Sequence, residues 1–146
     1  MKAKLNKLWA MLGVTGVIAV ILGSALIYMN VRSADPILPG WEEYSPARFE
    51  ELMASGEPVL MEIYASWCPT CLLQHRAFEE LHETGRAPEI RAVRVDFDRD
   101  TSFIQAHEYQ GTGMLVLFKN GREVAREAGL VSGDKILGFL KANGIS

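Results

Sequence analysis

The chain has two cysteines, Cys68 and Cys71, set in Ser66-Trp67-Cys68-Pro69-Thr70-Cys71 with two residues between them. Paired thiols at that spacing can cycle between dithiol and disulfide, supply half of a metal site, or close a small structural loop. A structural clip is disfavoured, because closing so short a loop adds little stability. A zinc site needs two further ligands, and only His75, four residues past Cys71, offers one; a metal set here would be Cys68, Cys71 and His75. Attachment of a c-type haem requires histidine directly after the second cysteine, where Leu72 stands.

The flanking pattern indicates how the thiols would be held. Pro58–Ala65, PVLMEIYA, is an apolar run of strand length suited to the middle of a sheet. From Pro69 to Thr84 the period becomes helical, with Cys71, Phe78 and Leu81 on one face and Gly85 as the stop. Cys68 therefore falls at the N-terminus of a helix, where unsatisfied N–H groups and the positive dipole end favour thiolate. A contribution of about 0.3–2 kcal/mol corresponds to roughly 0.2–1.5 pKa units, enough to bring a thiol from about 8.5 to around 7–8. Cys68 is then the attacking sulfur and Cys71 the resolving one.

Other elements follow by the same reasoning. Ser45-Pro46 opens a helix that Gly56 ends, IRAVRVDF alternates as a strand, and Asp100 is placed to cap a short helix reaching about Tyr109. MLVLFKNGREVAREAG reads as a hairpin turning on Asn120-Gly121, and Ser132 as the cap of a last helix carrying Ile136, Leu137 and Leu140. Crossovers make parallel neighbours and the hairpin an antiparallel pair, so the expected class is an α/β sandwich with a central mixed sheet flanked by helices.

The start of the chain differs in kind. Lys2, Lys4 and Lys7 precede Leu8–Met29, 22 residues without charge, which as a helix would span about 33 Å against roughly 30 Å of hydrocarbon. Residues 1–31 are therefore expected to be a basic segment and one N-terminal transmembrane helix, with a cleaved signal as the alternative. Apolar residues continuing past Gly23-Ser24-Ala25 favour the anchor. Residues 32–41, with Pro36, Pro39 and Gly40, read as a stiff linker, and 42–146 as the domain. The lysines before the run favour an N-terminus in the cytoplasm, so the domain is expected on the periplasmic, extracytoplasmic side of the inner membrane. Beyond Arg32 the chain has 11 Lys and Arg against 18 Asp and Glu, an acidic balance that argues against nucleic acid as a partner.

From about Trp41 to Ser146 the chain resembles thioredoxin, through PVLMEIYASWCPTC, VRVDFDRD, LFKNGREVA and GLVSGDKILGFLKANG in that order. With the anchor, it looks like the membrane-tethered, extracytoplasmic branch of that superfamily, which reduces or oxidises disulfides of exported proteins, cytochrome c maturation included. The resemblance implies a thioredoxin-like fold and a thiol:disulfide oxidoreductase that needs no cofactor beyond its own disulfide. It also implies exported protein thiols and disulfides as substrates and a membrane electron donor or acceptor. Cys68 matches the family's exposed nucleophile, Cys71 its buried resolving thiol, and Trp67 the tryptophan beside the site. Glu62 matches the buried carboxylate that exchanges a proton with the resolving thiol, and its apolar strand should raise its pKa. Arg94 takes the place of a lysine near that carboxylate and opposes the rise. Trp67, Pro69, Thr112 and Gly113 are the expected substrate-binding residues.

Two departures accompany the resemblance. Arg76 replaces a kinking proline, which predicts a straighter helix. Gly113 stands where nearly the whole family has a cis-proline, and no proline follows Pro88. A cis bond to glycine costs about 2.5–4 kcal/mol, so a trans, more mobile loop is expected. That proline shapes the substrate groove and keeps metals from the thiolates. Its absence leaves open a rival function, binding or delivery of a soft metal or iron–sulfur cluster by Cys68 and Cys71 with His75 or a second chain.

Overall fold

In the computed structural model, backbone is described for residues 2–33 and 38–145, and side chains for 13–28 and 38–145. The elements run α1 (Lys2–Ser33), β1 (Trp41–Glu43), α2 (Pro46–Ser55), β2 (Val59–Tyr64), α3 (Pro69–Glu83), β3 (Arg91–Asp96), α4 (Thr101–Ala106), β4 (Met114–Lys119), β5 (Arg122–Ala128) and α5 (Gly133–Ala142).

The five strands form one sheet in the order β1-β3-β2-β4-β5. β3 pairs in parallel with β1 and β2, and β4 is antiparallel to β2 and β5, the mixed sheet expected from crossovers and a hairpin. At the β4–β5 turn Asn120 and Gly121 both have positive φ, 51° and 70°. That is the two-residue geometry that matches strand twist.

β2 is central, and all six of its residues are buried. Because alternate side chains point to opposite faces, β2 serves two cores. Met61 and Ile63 pack with Val93, Val95, Val116, Phe103 and Phe118 on one side. Leu60 packs with Phe78, Leu81, Leu115, Ile136 and Leu140 on the α3 and α5 side. Glu62 and Tyr64 share the latter face.

Several expectations need correction. The strand β1 was not anticipated; at three residues it shows no alternation to read, and it begins at Trp41, the last position of the expected linker. α4 stops at Ala106 rather than Tyr109, and Asp100 does not cap it with its side chain. The Asp100 carboxylate instead accepts from the Asp96 N–H at 3.0 Å. Ser132 occupies the N-cap of α5 but makes no side-chain cap bond. α3 runs through Arg76 as one uninterrupted helix, in keeping with the missing proline. Residues 34–37 of the expected linker lie outside the described residues.

α1 is a 32-residue helix. Among the described residues no helix is long and apolar enough to cross a membrane; the run Leu8–Met29 extends beyond the described side chains at both ends. Within them, Val14, Val17, Val20, Ile21, Leu26 and Ile27 are exposed, by 60–68%.

Candidate active site

β2 ends at Tyr64, and the chain turns through Ala65, Ser66 and Trp67 before α3 begins at Pro69. The turn is closed by the Cys68 N–H donating to Ala65 O at 3.1 Å. Cys68 is the N-cap, in extended backbone, and its Sγ accepts from the Cys71 N–H at 3.0 Å. Proline at the first helical position suits this end, because its missing N–H would have had no intrahelical partner. Cys68 and Cys71 are joined as a disulfide with Cα atoms 5.3 Å apart. The sulfurs pack with Tyr64, Ala65 and Phe97.

The expected exposure of Cys68 is not found: both cysteines are only 3% exposed. Gly113, immediately before β4, lies against the pair. A Cβ built on Gly113 would lie 3.8 Å from Cys68 Sγ, 2.7 Å from Thr70 Cγ2 and 3.0 Å from Thr70 Cβ. Among the described residues there is no cis peptide, and Gly113 has φ +69°, a left-handed conformation that glycine adopts without steric cost. The expected mobility is corrected too, since both backbone groups are engaged. The Gly113 N–H donates to Ile63 O at 2.8 Å, and its carbonyl accepts from the Gly129 N–H at 2.9 Å. Proline could make neither that φ nor that N–H bond. Thr112, the preceding residue, is half-buried.

Trp67 is 55% exposed beside the disulfide. Its indole N–H donates to Asp98 Oδ2 at 2.6 Å, and Asp98 escaped notice because an acidic residue in a loop carries no pattern.

On β2, the strand that leads to the disulfide, Glu62 is 4% exposed and far from any sheet edge. Burial pushes its carboxyl up to about 7, against the lowering charge of Arg94 and with a smaller push from Glu43. Arg94 is itself buried, lies over the Tyr64 ring at 4.3 Å and pairs with Glu43. Burial also raises the Tyr64 phenol, to about 12.

His75 is buried on α3 with Nε2 3.4 Å from Glu79 Oε1. Among the described residues no group of three or more His, Cys, Asp or Glu is arranged to hold a metal ion, so the trio Cys68, Cys71 and His75 is not brought together as a ligand set.

This geometry provides a strand-to-helix turn that presents a disulfide at a helix N-cap, with a buried acid on the strand before it and a glycine against the pair. Comparison with known proteins finds a family match and several relatives. The family described as Thioredoxin matches residues 41–142. A thioredoxin-like protein of Synechocystis sp. is 34% identical over 85 residues, spanning 58% of this chain and 80% of that protein. A thioredoxin of Chlamydia trachomatis is 30% identical over 93 residues, spanning 64% and 88%. Among solved structures, the crystal structure of Trxlp from Edwardsiella tarda EIB202 superposes with a TM-score of 0.62 at 36% identity, covering 68% of this chain and 97% of that one.

Proposed function

The chain belongs to the thioredoxin family, whose members are disulfide oxidoreductases, and we propose that it works as a membrane-tethered enzyme on the thiols and disulfides of exported proteins. One observation carries the reading: the redox pair caps α3 at the end of β2, the strand that holds a buried acid whose carboxyl is pushed up to about 7.

In the reducing direction, the Cys68 thiolate attacks one sulfur of a substrate disulfide. A mixed disulfide forms and the first substrate sulfur leaves as thiolate. Glu62 as carboxylate accepts the Cys71 proton, and the Cys71 sulfur then attacks Cys68 Sγ. The Cys68–Cys71 disulfide forms, and the second substrate thiolate leaves with a proton from solvent. Two electrons pass to the substrate, and a membrane donor restores the dithiol; reversal of each step gives oxidation. Neither direction needs a bound cofactor. Trp67, Pro69, Thr112 and Gly113 flank the attacked sulfur and form the substrate-binding surface. Cytochrome c apoproteins, which must present reduced cysteines before haem attachment, are one substrate class of this kind.

The tether rests on the uncharged run after Lys7 and on the exposed apolar side chains of α1, which the domain leaves uncovered. An anchor there would enter at β1. Because β1, β3 and β2 are parallel, the start of β1 and the dithiol after β2 lie at opposite ends of the sheet.

The test is a Cys71→Ser variant in the full chain. It should accumulate mixed disulfides through Cys68 with exported proteins and remain in the membrane fraction after alkaline extraction. No trapped species, together with a wild type that reduces no disulfide, would sink the enzymatic reading. Release by alkaline extraction would sink the tether.

A further inference from the structure

Strand register places three charged residues in one row. Glu43 on β1 is paired with Arg94 on β3, and Arg94 with Glu62 on β2. In-register neighbours on adjacent strands point to the same face and lie side by side, so one guanidinium stands between two carboxyl groups. The row then ends in apolar contact, because the partner of Glu62 on β4 is Leu115.

The guanidinium is drawn to the outer acid. Arg94 Nε donates to Glu43 Oε1 at 3.1 Å, and Nη2 to the same oxygen at 2.5 Å. Glu43 is held in turn by Arg99 Nη2, 3.3 Å from its other oxygen. The Tyr64 ring fixes the plane of the Arg94 guanidinium from the β2 side. Glu43 is 37% exposed whereas Arg94 is 8% exposed, so the row runs from solvent inward to a fully enclosed carboxyl.

We propose that Glu43 is a positioning residue for the dithiol chemistry: by holding Arg94 at the outer side of the row, it limits how far the guanidinium charge stabilises the Glu62 carboxylate. This rests on the proposed role of Glu62 as proton acceptor for Cys71. An isolated pair of Arg94 and Glu62 would keep the acid ionised and a weak base. Sharing the cation with Glu43 leaves Glu62 able to take and return a proton near neutrality. The charges acting on Glu62 are those of Arg94 from β3 and Glu43 from β1, against the burial of its strand. Tyr64 follows on the same face of β2, and α3, packed on that face, carries His75 against Glu79.

The experiment is an infrared titration of the oxidised full chain, following the protonated-carboxyl band that Glu62→Gln abolishes. Glu43→Gln removes a like charge and releases Arg94 inward, and both act in one direction. The Glu62 midpoint should fall by about one unit, with the acid limb of disulfide reduction falling alongside. In an Arg94→Gln background, where the cation is gone, the same substitution should move the midpoint by less than half as much. Glu43→Asp, which keeps the charge but withdraws it by one methylene, should fall between and serves if Glu43→Gln folds poorly. An unmoved or raised midpoint overturns the proposal, as does an equal shift with and without Arg94. If the wild type reduces no disulfide, the enzymatic reading fails while the infrared titration still decides the part played by Glu43.

Discussion

Gly113 and Thr70 pack face to face: the Thr70 methyl occupies the space that a side chain on Gly113 would need, with 2.7 Å separating it from a built Cβ. Thr70 lies between the two cysteines and Gly113 just before β4, so the contact joins the helix that carries the disulfide to the strand that faces it. It lies beside Cys68, which is nearly enclosed although it caps a helix.

Restoring the proline common in the family should therefore harm this protein. Gly113→Pro forbids φ +69° and deletes the N–H donated to Ile63 O, which should cost about 3 kcal/mol or more. Gly113→Ala should cost about 1–3 kcal/mol from the left-handed backbone and the Thr70 clash. Adding Thr70→Ala should recover part of the loss. Urea unfolding of the four proteins checks this; a Gly113→Pro variant as stable as wild type would contradict the part given to the Gly113 backbone.

The Cys68 sulfur is a helix cap as well as a reactive group, and the two roles can be separated once the disulfide is gone. In Cys68→Ser with Cys71→Ser, the hydroxyl can accept the N–H of residue 71 in place of Sγ. In Cys68→Ala with Cys71→Ser nothing can. The alanine version should be less stable by about 1 kcal/mol. Equal unfolding midpoints would mean that the bond to the sulfur contributes nothing to α3.

Trp67 is oriented by Asp98 although it is more than half exposed. Asp98→Ala should free the indole, raising KM for a folded disulfide-bonded protein about three- to tenfold, the worth of roughly one net hydrogen bond. Turnover of a small disulfide, which does not need the Trp67 surface, should be unchanged. Equal losses on both substrates would place Asp98 in the chemistry rather than in recognition.

How much of this was legible in the sequence depends on whether the feature is local. The strand-to-helix turn holding Cys68, the Asn120-Gly121 hairpin and the buried position of Glu62 all follow from residues near one another in the chain. Gly113 could be placed by resemblance, yet its pinned backbone could not, because the partners are Ile63 and Gly129 on other segments. Glu43 left no trace: a three-residue strand is too short for periodicity, and its pairing with Arg94 joins residues 51 apart in sequence. Asp100 and Ser132 were read as side-chain caps from residue type, but the Asp100 carboxylate is taken by Asp96 N–H instead. Local propensity settles which elements form, and long-range pairing decides what their polar groups do.

Glu62 links the chemistry to stability in a way that can be measured without a substrate. Its carboxyl is raised from 4.5 to about 7 in the folded protein, chiefly by burial. A raised acid contributes stability that is fully present below about 4.5 and is lost as pH rises through about 7, because folding then has to bury a charge. The displacement corresponds to about 3 kcal/mol at 1.36 kcal/mol per unit. Glu62→Gln keeps the shape and does not titrate, so other ionisations cancel in the comparison with wild type. The stability of the variant relative to wild type should therefore increase by about 3 kcal/mol between pH 4.5 and pH 8. Most of that change should fall between pH 5 and 7.5, read from denaturant unfolding of the oxidised proteins at each pH. A difference that stays constant over this range would mean that Glu62 is not neutral in the folded state below pH 7, and its assignment as the proton acceptor for Cys71 would fall with it.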